Sequence, residues 1–272
     1  MLDRTIAYGI DFLFPAGDAA IGASLRDHGE FSKVELDFLL DMAGPAGEFL
    51  DVGANIGSIA LPFAQARPGW GVTAVEASRM LSGLLSANAL NNRLLNVMVV
   101  NAAAGDQRTI VEYPAVTLRN TGNFGSLGFG AVQGITEAIG MLRLDDIARP
   151  NTSLIKIDVE GFEPQVLKGA ARLLAACSAV WVVEATPTHP EASAQTIRAF
   201  QSAGYQTFWF FVPFATPTSV KSKPATAAIG DANIVALPPG APNSWGLTPV
   251  GDPTEGRPNG PLAYPYMARY GY

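Results

Sequence analysis

The sequence contains few of the residues on which several classes of protein depend. It has one cysteine and two histidines in 272 residues, which excludes a framework of internal disulfides and a zinc site built from several thiolates. Charged residues make up only 15% of the chain and the formal net charge is −6. Because no block of lysine and arginine offers a surface for phosphates, we expect no binding of nucleic acid.

Long apolar runs are also missing. No segment approaches the roughly 18–20 apolar residues that span a bilayer, so no transmembrane segment is expected. The first residues include Asp3 and Asp11, where a signal peptide would be basic and then apolar. Hydrophobic residues nevertheless make up 48% of the chain, which predicts a folded protein with a large core. The single cysteine favours a reducing compartment, so we expect a cytoplasmic protein. The sequence leaves a homo-oligomer open.

Segments typical of strands and of helices alternate along most of the chain. Residues 1–47 predict a helical lead-in, in which Ser32 and Glu35 form a capping box at the start of a helix. Seven strand-like segments follow between residues 48 and 238, most of them separated by helices. This order predicts a single α/β domain with a Rossmann-like, doubly wound, mostly parallel sheet of seven strands and one antiparallel edge strand.

Two segments depart from this alternation. Residues 106–143 form a glycine-rich insertion that includes TGNFGSLGFG, and we interpret it either as a substrate loop or as a surface connection. From Pro238 onward the chain has eight prolines, six glycines and four tyrosines, too many turn residues for a regular helix or strand. The C-terminal tail, residues 239–272, is therefore expected to be disordered or to lie over the domain through its tyrosines.

The segment DVGANIG, residues 51–57, follows the first strand of the predicted sheet. Open α/β sheets bind ligands at such strand ends, where the strand order reverses. Gly53 and Gly57 permit a tight turn and close backbone approach, and Glu76 ends the next strand, where a carboxylate can accept both hydroxyls of a ribose. These residues predict a site for a nucleoside cofactor.

The charge of this turn distinguishes between two cofactors. A dinucleotide turn reads G-x-G-x-x-G and presents N–H groups to a pyrophosphate, whereas this one reads G-x-N-x-G and follows Asp51, which would repel a pyrophosphate. S-adenosylmethionine carries an ammonium and a sulfonium group, which an acid attracts. The turn favours S-adenosylmethionine, with an NAD(P)-dependent oxidoreductase or a non-catalytic nucleoside-binding module as alternatives.

Several motifs together resemble one family, the FkbM S-adenosylmethionine-dependent methyltransferases. The resemblance covers about residues 25–238 and depends on FLDVGANIG, VEAS, LDD at 144–146, LIKIDVEGFEPQVLKGA, VVEA and NIVALP. It implies the class I seven-stranded methyltransferase fold and methyl transfer to a hydroxyl of a sugar, glycan or natural product.

The resemblance also implies roles for individual residues. Asp158, at the end of the fourth strand, is expected beside the transferable methyl group. The cofactor-binding residues are expected to be Asp51, Gly53, Ala54, Asn55 and Gly57 around the methionine half, Glu76 at the ribose, and Asn101 near the adenine.

A hydroxyl acceptor must lose its proton, so we expect a base or a metal at the site. The candidate catalytic residues are Asp158, Glu184 at the end of the fifth strand, and His189 in the loop that follows. Asp158 and Glu184 also offer oxygen ligands for Mg²⁺. Because Ala185 follows Glu184 where a second acid would complete a pair, we expect no metal, with Mg²⁺ as the alternative.

Overall fold

The computed structural model of the protein describes residues 1–118, 121–126, 128–129, 135–221, 228–260 and 263–272. The helices are α1 (Ile21–Asp27), α2 (Lys33–Met42), α3 (Ala60–Ala66), α4 (Arg79–Asn91), α5 (Leu144–Ile147), α6 (Glu163–Lys168), α7 (Ala171–Ala176), α8 (Pro190–Ser202) and a 3₁₀ helix (Pro265–Tyr270). The strands are β1 (Leu2–Ala7), β2 (Ile10–Pro15), β3 (Glu48–Val52), β4 (Gly71–Glu76), β5 (Val97–Asn101), β6 (Ala103–Ala104), β7 (Thr109–Pro114), β8 (Thr136–Leu142), β9 (Thr152–Ile157), β10 (Val180–Glu184), β11 (Gln206–Pro213), β12 (Gly230–Leu237) and β13 (Thr248–Pro249). None of the described helices has the length and apolarity needed to cross a membrane.

The large sheet positions the functional residues. Its strand order is β13-β11-β12-β10-β9-β3-β4-β5, and β5, β4, β3, β9 and β10 run parallel to one another. Its central strands are apolar and buried, as expected for parallel strands covered on both faces. The order reverses between β3 and β9, so the carboxyl ends of these strands flank a crevice. The prediction of a doubly wound, mostly parallel α/β sheet is confirmed.

Two details of the predicted seven-stranded sheet need correction: the described sheet has eight strands, and the strand predicted as its antiparallel edge, β12, is not at the edge. β12 lies between β10 and β11 and is antiparallel to both. Its residues from Ala232 to Leu237 are all buried, as expected for a strand with a neighbour on each side and cover on both faces. The edge beyond β11 is occupied instead by β13, which comes from the C-terminal tail.

The N-terminal segment differs from the predicted helical lead-in. Residues 2–15 form an antiparallel hairpin, and helices begin only at α1. Alternate β2 residues Ile10, Phe12 and Phe14 are fully buried, and a tight turn at Tyr8 and Gly9 has positive φ angles of 54° and 76°. Such a two-residue turn with both φ values positive is a preferred hairpin connection.

The predicted capping box at the start of α2 is wrong. The helix does begin at Lys33, but Ser32 has a left-handed conformation, with φ of 51°, and its side chain makes no capping hydrogen bond. Glu35 is buried, with 4% of its surface exposed, so it cannot reach back across the solvent side of the helix end as a capping box requires.

The insertion and the tail both carry more structure than loops. β7 pairs with β8, and β6 completes a small three-stranded sheet; Leu127 and Gly130 of the glycine-rich stretch lie outside the described residues. In the tail, Tyr266 is 2% exposed and its hydroxyl accepts a hydrogen bond from Phe211 N (2.7 Å) and donates one to Phe211 O (2.9 Å). The described part of the tail therefore lies over the domain, the second of the two expected alternatives.

Candidate functional site

A cavity opens at the carboxyl ends of β3, β4 and β9, at the reversal of strand order. The sequence-predicted residues on its wall are Asp51, Gly53, Ala54, Asn55, Glu76 and Asp158. Apolar cover comes from segments outside the parallel strands, namely Ile21, Phe31, Phe124, Phe129 and Phe214. Residues at the strand ends thus form one part of the cavity wall, and the N-terminal segment and the insertion cover it.

The turn after β3 requires its two glycines. Gly53 has φ of +82°, and a Cβ atom at this position would lie 1.8 Å from the carbonyl oxygen of Asp158. Gly57 has φ of +90°, and its Cβ would lie 2.5 Å from Leu85 Cδ1. Because no side chain fits at either residue and both have positive φ, this close packing of the turn requires glycine at both positions.

Glu76 is fixed at the end of β4. Its Oε2 accepts a hydrogen bond from Asn55 N (2.9 Å) and its Oε1 accepts one from Ser78 N (2.8 Å). Burial raises the pKa of Glu76 to about 7, although these two hydrogen bonds oppose the shift. The two hydrogen bonds hold the carboxylate in place. Its remaining lone pairs can accept hydrogen bonds from the hydroxyl groups of a ligand.

Asp51 is a buried carboxylate without a hydrogen bond. It is 1% exposed, and neither carboxylate oxygen has a hydrogen-bond partner among the described residues. Burial raises its pKa to about 6. Its β9 partner in register is Lys156, whose Nζ lies 3.8 Å from Asp51 Oδ1. An orphaned buried carboxylate beside a glycine turn suits a ligand that carries positive charge, and S-adenosylmethionine fits this requirement.

Lys156 is the cation at the centre of the site. Its Nζ donates a hydrogen bond to Asp158 Oδ2 (3.0 Å). Burial lowers the pKa of Lys156, but the carboxylates of Asp158, Asp51 and Glu35 outweigh burial and raise it above the ordinary value. Lys156 therefore remains charged and keeps Asp158 oriented.

Further carboxylates gather beside Asp158. Burial, followed by repulsion from Asp158, raises the pKa of Glu160 to about 8 and that of Glu184 well above its usual value. Burial and then Asp158 also raise the pKa of Asp231 to about 7. Carboxylate oxygens of Asp158, Glu160 and Glu184 lie within 4.8 Å of one another. Groups with pKa values near neutrality can take up a proton at physiological pH.

Four predicted site residues do not line the cavity, and one of them, Gly57, packs against Leu61 and Leu85 instead. Glu184 is buried behind the wall, with Oε2 unpartnered among the described residues. His189 is exposed before α8, with Nδ1 3.3 Å from Thr188 Oγ1, and it packs against Gly161. Asn101 is exposed and donates to the backbone oxygens of Glu76 (2.9 Å) and Ala77 (3.0 Å), so it braces the connection after β4.

The sequence-predicted site set lacked several wall residues that the fold brings in. Lys156 and Glu160 alternate with apolar residues around Asp158, and this alternation is a signal that indicates a shared face. Asp231 and Asn233 come from β12, whose register places Asn233 opposite Glu184. Glu35 comes from α2, where the Ser-x-x-Glu pattern suggested a structural role.

A reversed sheet of this order, with a glycine turn and an acid after its first two strands, defines a class I methyltransferase fold. Residues 51–207 match the methyltransferase FkbM domain. The protein belongs to the FkbM methyltransferase family. Membership supports S-adenosylmethionine-dependent methyl transfer and disfavours the alternative of an NAD(P)-dependent oxidoreductase.

Solved structures with a similar fold are only distantly related in sequence. Methyltransferase FkbM from Methylobacillus flagellatus KT is 18% identical (TM-score 0.49); the match covers 71% of this chain but 44% of that protein. A precorrin-6y C5,15-methyltransferase from Geobacter metallireducens GS-15 is 16% identical, with 75% and 87% covered and a TM-score of 0.49. An rRNA methylase from Streptococcus thermophilus is 10% identical, with 75% and 93% covered and a TM-score of 0.47. The chain matches none of the curated proteins compared with it.

Proposed function

We propose that the protein transfers a methyl group from S-adenosylmethionine to a hydroxyl of a sugar, glycan or natural product. The observation that carries this proposal is the position of Asp158. Its backbone carbonyl abuts the glycine turn at Gly53, while its carboxylate is held by Lys156 beside Glu160. Asp158 thus lies between the predicted cofactor site and the acidic side chains that can take up a proton.

The cofactor would be held by residues of the parallel strand ends. We assign the methionine half to Asp51, Gly53, Ala54, Asn55 and Gly57. The ribose hydroxyls are assigned to Glu76, whose carboxylate is fixed by two backbone N–H groups. Ala102 and Ala103 lie on the cavity wall after β5, so we assign them the adenine, with Asn101 bracing this segment from outside. When bound, S-adenosylmethionine supplies an electrophilic methyl group.

Transfer moves the methyl group from sulfur to the acceptor oxygen, and the oxygen's proton must go to the protein. Alignment of acceptor and methyl by the cavity supplies part of the rate. Asp158, held in place by the hydrogen bond from Lys156, is the proposed hydrogen-bond acceptor for the hydroxyl. Glu160 and Asp231 share the wall with Asp158, and their pKa values of about 8 and about 7 suit proton uptake near neutrality.

We propose that this proton transfer needs no metal. The Nζ of Lys156 already supplies a positive charge 3.0 Å from Asp158 Oδ2. Glu184 would act from behind the wall by exchanging a proton with Asp158 and Glu160, whose carboxylate oxygens lie within 4.8 Å of its own. The acidic wall and the net charge of −6 also favour a neutral acceptor over nucleic acid. We further propose a cytoplasmic location, because the single cysteine forms no internal disulfide.

The test is conversion of S-adenosylmethionine to S-adenosylhomocysteine with a panel of hydroxylated glycosides and their matched deoxy analogues. Turnover should require the hydroxyl, persist in EDTA and fall at least about 100-fold in Asp158→Asn. Glu191→Gln, in the exposed first turn of α8, is the charge-matched control and should keep full turnover. His189→Ala tests the remaining base candidate.

Three outcomes would contradict the proposal. Methylation of amines but not hydroxyls would exclude O-methyl transfer. Restoration of an EDTA-inactivated protein by Mg²⁺ would make the carboxylate group around Asp158 a metal site. Binding of S-adenosylhomocysteine without turnover of any acceptor would favour the non-catalytic nucleoside-binding module.

A further inference from the structure

We propose that Glu35 is a cofactor-binding residue, which together with Asp51 forms a two-carboxylate site for the α-ammonium group of S-adenosylmethionine. Glu35 lies on α2, before the segment of residues 51–207 that matches the methyltransferase domain. This inference rests on the proposed use of S-adenosylmethionine and adds a binding group from outside the family segment.

The first argument is that Glu35 serves no evident purpose in folding. It is 4% exposed, yet it lies on the cavity wall. Among the described residues its carboxylate forms no hydrogen bond and lies within 4 Å of no basic nitrogen. Glu35 does not cap the helix. Its backbone N–H donates a hydrogen bond to Ser32 O (3.0 Å), but its side chain makes no hydrogen bond to Ser32. A buried carboxylate without a partner destabilises a fold unless a ligand compensates for it.

The second argument is the charge balance around Lys156. This lysine is the one basic group of the described residues within 4 Å of Asp51, and its hydrogen bond goes to Asp158. Burial raises the pKa of Glu35 to about 8, and repulsion from Asp51 adds to this shift. Two acids therefore share one cation that already has a partner, so a positively charged ligand would favour the ionised form of both acids.

The third argument is the direction in which the cofactor would extend. Glu76 ends β4, Asp51 is the penultimate residue of β3, and Lys156 is in β9, so these three side chains mark successive positions across the sheet. With the ribose at Glu76, the amino-acid end of the cofactor would continue past Gly53 toward Asp51. α2 packs against α3 and β11, which brings Glu35 over this end of the cavity. The α-ammonium is the cationic group of the amino-acid end, and it suits two facing carboxylates.

The experiment compares two ligands that differ by one group. S-adenosylhomocysteine carries the α-ammonium, and its desamino analogue carries hydrogen in that place. Both are titrated calorimetrically into the wild type, Glu35→Gln and Glu35→Asp at pH 7.5. We expect Glu35→Gln to weaken S-adenosylhomocysteine about 10- to 100-fold and the desamino analogue less than about twofold, with partial recovery in Glu35→Asp.

A control variant lies on the same helix. Asp37 pairs with Lys33 (2.6 Å) and accepts a hydrogen bond from Tyr270, and it is not on the cavity wall. Asp37→Asn removes the same charge and should leave both affinities unchanged. Because each variant is compared with itself across two ligands, a partial loss of folded protein affects both titrations equally.

The outcomes separate the two levels of inference. Equal weakening of both ligands, or no weakening of either, by Glu35→Gln would overturn the ammonium site while leaving the methyltransferase function in place. Failure of the folded wild type to bind S-adenosylhomocysteine would overturn both proposals.

Discussion

Gly53 and Asp158 are in contact through their backbones, and no heavier residue than glycine fits between the two strand ends. A Cβ atom at residue 53 would lie 1.8 Å from Asp158 O and 2.9 Å from Asp158 C. The turn that would hold the cofactor and the residue proposed to face the acceptor therefore share one boundary. A shift of either strand end would change both halves of the site.

Gly53→Ala should consequently abolish binding of S-adenosylhomocysteine and lower the free energy of unfolding by about 2 kcal/mol or more, because the methyl group meets backbone and φ is +82°. Calorimetric titration and urea unfolding measure the two effects. Gly83→Ala is the matched control: Gly83 is inside α4 with nothing within 4 Å of its Cβ position, so alanine should raise stability by up to about 1 kcal/mol. Normal binding by Gly53→Ala would contradict the close contact.

The tail stabilises the edge of the sheet through Tyr266. β13 pairs with only Phe208 and Trp209 of β11, and the Tyr266 hydroxyl bonds both backbone groups of Phe211 further along the strand. Tyr266→Phe leaves a buried N–H and C=O unpaired and should reduce the free energy of unfolding by about 1–3 kcal/mol. Tyr272→Phe, which removes one partly buried bond to Ala215 O, should cost less. Equal urea midpoints for the wild type and Tyr266→Phe would show that the hydroxyl of Tyr266 adds no stability.

Stability of the free protein should fall as the pH rises from about 5 to 8. Burial raises the folded-state pKa values of Asp51 to about 6, Glu76 to about 7 and Glu35 to about 8, above their unfolded values. In this window the unfolded chain has released protons that the folded state still holds, and each such group lowers stability by about 1.4 kcal/mol per pH unit. Denaturant unfolding at several pH values measures the slope.

Glu35→Gln is the specific check on this pH dependence. The variant removes the group with the highest of the three pKa values, so its stability curve should be flatter between about pH 6 and 8. Asp37→Asn should keep the slope of the wild type. Parallel curves for the wild type and Glu35→Gln would mean that Glu35 does not retain its proton in the folded state.

Contiguous sequence motifs predicted the parts of the site that lie at the ends of parallel strands. Asp51, Gly53, Glu76 and Asp158 follow strands whose carboxyl ends must meet at one edge, so their proximity follows from the alternation of strands and helices. The conformation of the turn could also be predicted, since only glycine adopts positive φ without strain.

The other parts of the site depend on packing that a local pattern does not specify. Asp231 and Asn233 reach the wall because β12 inserts between two strands, whereas its sequence is equally compatible with an edge. Glu35 occurs in a Ser-x-x-Glu pattern that also describes a capped helix, and only the placement of α2 over the cavity distinguishes the two roles. The hairpin at residues 2–15 has strands of six residues, no shorter than β3 or β10, and the signal that could have predicted it is the alternation of Ile10, Phe12 and Phe14 after the turn at Tyr8 and Gly9.

Lys156 should be the most sensitive of the buried charges. Lys156→Met removes the partner of Asp158 (3.0 Å) and the nearest cation to Asp51 (3.8 Å), leaving buried carboxylates uncompensated. At pH 8 we expect a loss of about 3–5 kcal/mol in the free energy of unfolding. At pH 5 the loss should be smaller, because burial raises the pKa of Asp51 to about 6, so this carboxylate is largely protonated and no longer needs a cation. Lys156→Met combined with Asp51→Asn should recover part of the stability at pH 8 for the same reason. Denaturant unfolding of both variants at the two pH values measures these losses. An equal loss at pH 5 and pH 8 would mean that Lys156 stabilises the fold through the packing of its side chain and not through its charge.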